Sequence, residues 1–262
     1  MTGDTTDRSA GAPLGVFDAL GLGWRLMASD FWRLWLVALV LMLVVMGASV
    51  FGLPATILVV PPLVAGLFYV LGRRMDGHPT GVADLFTGFK KRFGESVIAY
   101  LPVSLGSIVF GVVFTLATWL LMGLCFAVAA AAEGEEAVVG VTVVVGILVG
   151  AGLYVCLIAG LSLLVVFFYF VPAAVWDYPG SGWEAAKASM GLVRDHFLSM
   201  LGLLVVFTVI GWAAGIVGML LCCVGWLFTT PVITVWFYAT LLYLYRSWTG
   251  NGGGTTAMAK VE

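Results

Sequence analysis

Polar and apolar positions along this chain fall into long blocks. Uncharged apolar runs extend from Leu34 to Phe51, from Leu53 to Gly72, from Ser96 to Ala132 and from Ala137 to Trp176. A further stretch, Phe197 to Tyr245, carries no charge and is broken by a turn at Cys222-Cys223-Val224-Gly225. About 20 apolar residues in a helix cross the hydrocarbon core of a bilayer. The pattern therefore predicts an all-α polytopic membrane bundle of six transmembrane helices paired as three hairpins.

A second pattern is superposed on the first. Pro13-Leu14-Gly15-Val16-Phe17-Asp18 returns as Pro79-Thr80-Gly81-Val82-Ala83-Asp84 and as Pro179-Gly180-Ser181-Gly182-Trp183-Glu184. Each copy stands before an amphipathic stretch that runs into a hydrophobic pair. Phe17, Leu20, Trp24, Met27 and Phe31 form one stripe at helical spacing, and Trp183, Ala186, Met190, Val193 and Phe197 repeat it. Val82, Phe86, Phe89 and Phe93 do so in the second copy. Phe-Tyr dipeptides at Phe68-Tyr69, Phe168-Tyr169 and Phe237-Tyr238 close each hairpin. The expectation is a threefold internal repeat at about 13–78, 79–178 and 179–248, with each hairpin preceded by an amphipathic interfacial helix. Residues 1–12 and 249–262 are expected to be disordered cytoplasmic tails.

The motif has a local physical reading. Proline stops one helix and tolerates the first turn of the next. A glycine or serine then caps the start, and Asp18, Asp84 or Glu184 lies in the first turn, at the positive end of the helix dipole. Three acids on one membrane face could also signal a catalytic cluster. Their identical spacing from the proline favours a helix-start role, which each copy fulfils by itself.

Charge sets the expected orientation. All twelve Lys and Arg residues fall, with six spans, on the side of the two termini, and the other side holds the acidic Glu133-Gly134-Glu135-Glu136. By the positive-inside rule both termini are cytoplasmic. The first thirty residues lack the basic start and apolar run of a signal peptide.

Composition narrows the class. Hydrophobic residues make up 62% and charged residues 10% of the 262, against about 25% charged in ordinary globular chains, and the mean hydropathy is +1.11. Such a chain has lipid as its solvent. A net charge of −2 leaves no footprint for nucleic acid. Four cysteines, Cys125, Cys156, Cys222 and Cys223, border apolar segments and read as small hydrophobes, not as a disulfide or zinc framework. His78 and His196 are too far apart in sequence to suggest a metal site and read as surface residues.

The repeated short helix plus hairpin resembles a broad group of bacterial multi-pass membrane proteins that includes the membrane domain of some glycerophosphodiester phosphodiesterases. The likeness covers about Leu14 to Trp248. It implies a membrane fold in a bacterial inner membrane. It implies no phosphodiesterase activity, because no catalytic domain accompanies it.

Within the spans, Leu34 to Gly72, Ser96 to Ala132, Ala137 to Trp176 and Phe197 to Tyr245, the only ionisable side chains are tyrosines and cysteines, with no Asp, Glu, His, Lys or Arg. Intramembrane enzymes and ion-coupled carriers show such charged residues there. No catalytic residue, cofactor or metal ligand is therefore assigned. Lys90, Lys91 and Arg92 are candidates for contact with lipid headgroups or, more simply, for fixing topology. Small-residue spacings (Gly146 with Gly150, Gly152 with Cys156 and Gly160, Gly211 with Gly215) predict close helix packing, inside one bundle or between copies. Pro61, Pro62, Pro102, Pro172 and Pro231 predict kinks. The central pair is too long for a bilayer: thirty-seven residues from Ser96 to Ala132 would be about 55 Å of helix against a core of about 30 Å. It is expected to project outward. The functional expectation is a non-enzymatic scaffold, assembly partner or regulator whose partners are membrane lipid and a membrane protein or second copy. The alternative is a carrier or lipid-handling protein with a site between the repeats.

Overall fold

The computed structural model describes residues 14–131, 136–220 and 224–250. Among these the chain is mostly helical and has no strand. The helices are α1 (Val16–Ser29), α2 (Phe31–Val50), α3 (Leu53–Met75), α4 (Thr87–Lys91), α5 (Phe93–Ala131), α6 (Glu136–Val166), α7 (Val171–Asp177), α8 (Gly182–Asp195), α9 (Phe197–Leu220) and α10 (Val224–Trp248), with a 3-10 turn at Val82–Phe86. Six described segments are long and apolar enough to cross a membrane: Phe31–Val50, Leu53–Met75, Phe93–Val128, Gly140–Asp177, Phe197–Leu220 and Gly225–Trp248. The protein is a multi-pass membrane helix bundle.

The chain divides into two compact units, residues 1–100 with 167–262, and residues 101–166. In the first unit the core lies along α3, α7 and the C-terminal half of α10. Every residue from Pro61 to Gly72 is buried, as is every residue from Val171 to Trp176. Val235, Ala239, Leu241, Leu242 and Leu244 of α10 join them. α2 passes to α3 through Gly52, whose φ of 84° is open to glycine, with Pro54 in the first turn of α3.

The short elements seat on the core by close backbone approach. α1 lies on α10: the Leu14 N–H donates to Ser247 Oγ at 2.7 Å, the Trp236 indole donates to the Leu20 carbonyl at 2.9 Å, and a Cβ on Gly23 would stand 2.6 Å from Thr240 Oγ1. The 3-10 turn and α4 lie on α3, where a Cβ on Gly66 would run into the Leu85 carbonyl and one on Gly88 into the Pro62 carbonyl. α8 lies on α7 and on the turn before it. There Val171 N–H bonds Phe168 O, and the Phe167 carbonyl accepts from Ser189 Oγ at 2.9 Å. α1 thus rests on α10, the 3-10 turn and α4 on α3, and α8 on α7.

α1 and α8 bury matching positions at one constant offset: Ala19 and Ala185, Leu20 and Ala186, Gly23 and Ser189, Met27 and Val193. The match continues into the following long helices at Leu34 and Met200, Val37 and Leu203, Leu41 and Phe207. Phe17 with Trp183, and Trp32 with Leu198, are exposed in both. The expected stripe of α1 is therefore split: Leu20 and Met27 face protein, while Phe17 and Trp24 face outward. The second copy departs further, being a five-residue 3-10 turn followed by five residues of α-helix.

α9 and α10 meet in opposite senses, His196 on Trp248 at 4.1 Å, Phe207 on Phe237 at 4.8 Å, and Gly218 against the Trp226 backbone. The second unit consists of α5 from Leu101 and α6. Their contacts also step in opposite directions, Gly106 against Leu164, Phe110 against Gly160, Phe114 against Tyr154 and Cys125 against Gly146. α5 has 39 residues, about 58 Å of helix. No described residue from 101 to 165 is buried.

Candidate functional site

The acids of the repeated motif occupy one position relative to their helix starts. The caps are Gly15, Gly81 and Ser181, and the acids follow three residues later. The Asp84 carboxylate accepts from the Gly81 N–H at 2.8 Å while the Asp84 N–H donates to the Gly81 carbonyl at 3.1 Å. In the third copy the cap supplies the oxygen: Ser181 Oγ accepts from the Glu184 N–H at 3.2 Å. Both arrangements satisfy amides that the first turn leaves unpaired.

Other charged groups tie separate elements together. Asp30, between α1 and α2, pairs with Arg74 at the end of α3 at 3.1 Å. Asp76 pairs with Arg246 of α10 at 3.0 Å, with side-chain exposures of only 10% and 15%, and Arg246 also donates to the Gly72 carbonyl at 3.4 Å. Tyr245 donates to Asp177 at 2.6 Å. These contacts lie at the ends of α3, α7 and α10, so side chains remote in sequence clamp the helix ends to one another.

The three residues proposed for lipid headgroups are not equivalent. Lys90 and Lys91 are exposed. Arg92 turns inward, pairing with Glu95 at 2.8 Å and lying 5.9 Å from the centroid of the Trp176 ring. Glu95 also accepts from the Gly180 N–H at 2.8 Å, so Arg92 and Glu95 fasten the start of α5 to the loop before α8. Trp176 donates its indole N–H to the Ala65 carbonyl at 3.0 Å and packs on Tyr69 at 5.1 Å. Exposed aromatic and basic residues do meet elsewhere. Phe17, Trp24 and Arg25 lie on the outer face of α1, and Trp183, Lys187 and Arg194 on that of α8, with Lys187 Nζ 5.6 Å from the Trp183 ring. Aromatic and basic side chains together suit the bilayer interface.

His196 stacks on Trp248, and its Nδ1 bonds the Leu192 carbonyl at 3.1 Å. Among the described residues no three His, Cys, Asp or Glu side chains converge as a metal site requires. Cys125 faces Gly146, and Cys156 borders an apolar groove of about 340 Å³ between α5 and α6. Cys222, Cys223 and the turn at Glu133 lie outside the described residues. Among the described residues nothing lies within 4 Å of where a Cβ on Gly211 or Gly215 would stand, and Gly215 lines an apolar groove of about 520 Å³ with Trp212, Ile216, Gly218, Met219 and Trp226.

One cluster escaped the sequence reading. Tyr100 of α5, Tyr169 of the turn after α6 and Tyr238 of α10 lie near one another, each half-buried. Tyr169 packs edge-on to Phe237 at 5.2 Å, and Tyr238 to Phe68 at 5.5 Å. The Phe-Tyr repeat marked Tyr169 and Tyr238 as related positions, but no sequence pattern attached Tyr100 to them.

The chain matches no protein-family model, no curated protein and no solved structure.

Proposed function

We propose that this chain is a non-enzymatic scaffold or assembly module of a bacterial cytoplasmic membrane. On this reading it has six spans in three hairpins, each led by a short interfacial element, and both termini are cytoplasmic. The observation that carries the proposal is the use of its charged residues. Asp30, Asp76 and Glu95 engage Arg74, Arg246 and Arg92, so helix ends are held together by the groups that a catalytic or ion-coupled protein keeps for chemistry. Matching buried positions in α1 and α8, and the recurring seats of the short elements, support the threefold repeat. The apolar surface of α5 and α6, without a buried residue among those described from 101 to 165, supplies a face for a membrane partner.

Photo-crosslinking from Leu120 and Tyr154 in native membranes tests the scaffold reading. A protein adduct at both sites is expected, and adducts with lipid alone overturn it. Orientation is tested with a single cysteine at His78 in a background lacking the four native cysteines. An impermeant maleimide added to intact cells should leave it unlabelled. A second reading, a lipid carrier, draws on the 520 Å³ apolar groove at α9 and α10, which has the chemistry of an acyl chain.

A further inference from the structure

Bilayer thickness separates two kinds of helix pair in this chain. α2, α3, α9 and α10 have 20, 23, 24 and 25 residues. That is about 30–38 Å of helix, against a hydrocarbon core of about 30 Å. The apolar part of α5, Phe93–Val128, has 36 residues, about 54 Å. Tilted by about 40°, the upper end for membrane helices, it would still cover about 41 Å. Lipid tails therefore leave the far part of the α5–α6 pair uncovered. Trp119, Leu120 and Phe126 there are 66%, 75% and 70% exposed, and Ile147 and Leu148 of α6 are 65% and 66% exposed. Two adjacent helices, each about 10 Å across, present on the order of 1,000 Å² of such surface over the excess length. The largest apolar patch on an ordinary monomer is about 300–600 Å², whereas a stable interface takes about 800 Å² from each partner.

We propose that the α5–α6 pair docks on the α5–α6 pair of a second copy of this chain. This pairing, which rests on the scaffold reading, names the scaffold's partner. Length argues for it first: whatever covers the excess must itself carry apolar helices of the same reach, and a second copy does. Polarity argues for it next. No charged side chain lies between Leu101 and Ala132 or between Ala137 and Val166. The hydroxyls of Ser107, Thr115 and Thr118 are taken by carbonyls of their own helix. The face thus offers none of the charges by which an interface selects a foreign protein. Two copies inserted in the same sense are related by a twofold axis along the membrane normal, so each level of one meets the same level of the other. The apolar groove of about 340 Å³ lined by Val109, Val113, Ala117 and Leu153 then receives side chains of its own level. Leu116 and Val155, 58% and 64% exposed, stand at that level.

The test identifies the adducts formed by photo-crosslinking from Leu120 and Tyr154 in cells carrying two differently tagged copies of the full chain. An adduct of twice the chain mass that holds both tags is expected. Adducts with a different protein alone overturn the second copy and leave the scaffold reading standing, whereas adducts with lipid alone overturn both. Energy transfer between copies labelled at the C-terminus, in phosphatidylcholine vesicles, measures the strength of association. Val113→Trp, which fills the groove, should weaken it roughly tenfold or more, and Leu116→Ala roughly fivefold or more. Val205→Trp, at an exposed position of α9, should associate as the unaltered chain does. If Val113→Trp does not fold, Leu116→Ala decides. Association unchanged by Leu116→Ala, or weakened as much by Val205→Trp as by Val113→Trp, overturns the pairing.

Discussion

α3 and α5 are both apolar, both carry proline within a continuous helix, and both are long enough to span a bilayer. α3 is nevertheless enclosed by protein over twelve consecutive residues, Pro61 to Gly72, whereas α5 has no buried described residue after Ala99. Hydropathy does not separate the two. The difference lies in small residues and backbone: Gly66 admits the Leu85 carbonyl against α3, while Gly111 and Gly123 of α5 have nothing within 4 Å. Apolar composition selects lipid as the solvent. Whether a helix then meets protein or lipid depends on seats for backbone and on polar groups that need partners.

The sharpest way to break this comparison is to place the same methyl group on both helices. Gly66→Ala should cost more than about 3 kcal/mol, or prevent folding, because the clash is with backbone that has nowhere to move. Gly111→Ala should stay within about 0.5 kcal/mol, helped slightly by helix propensity. Thermal unfolding of the detergent-purified protein reads both, and equal tolerance at the two sites would remove the argument. Next in size are the clamps. Asp76→Ala leaves Arg246 partly buried without its carboxylate and should cost about 2 kcal/mol, whereas Arg33→Ala, 3.8 Å from Asp30 with 63% of its side chain exposed, should cost almost nothing. Denaturant or heat titration of the two variants compares them directly.

Smaller again is the indole contact. Trp176→Phe removes the donor to the Ala65 carbonyl and should cost about 1–2 kcal/mol, while Trp119→Phe on the exposed surface of α5 should be close to neutral by the same melting assay. The smallest expected effect is at the third helix start. Ser181→Ala should cost about 0.5–1 kcal/mol, and Ser181→Asp should restore it, because either side chain can accept from the Glu184 amide.

The positions of the spans were legible because each falls in an uncharged run of about 20 residues or more, and the helix starts because Pro-x-Gly/Ser precedes an acid at fixed spacing. The caps at Gly15, Gly81 and Ser181 follow from that pattern. The faces were less legible. A stripe drawn through Phe17, Leu20, Trp24 and Met27 weights large side chains, but the protein-facing side of α1 is centred on Ala19 and Gly23, whose small size permits the approach to Thr240. In the second copy Gly88 is pressed onto the Pro62 carbonyl, and two five-residue pieces stand where α1 and α8 each run for 14 residues. Arg92 looked equivalent to Lys90 and Lys91 because its partner Glu95 and its neighbour Trp176 become adjacent only in the fold. Tyr100 was hidden for the same reason.

The seat of α1 on α10 also sets an order of events at the ribosome. α1 is the first described helix to be made, yet the backbone and side chains that receive Leu20 and Gly23 belong to Trp236 and Thr240. At about 5–20 residues per second, that partner follows on the order of ten seconds or more after α1 emerges. During this interval the buried face of α1 has no native cover and must rest on the bilayer surface or on an insertion factor. A nascent chain stopped before α10 therefore still displays α1 uncovered, a mark by which quality control can distinguish an unfinished copy from a finished one.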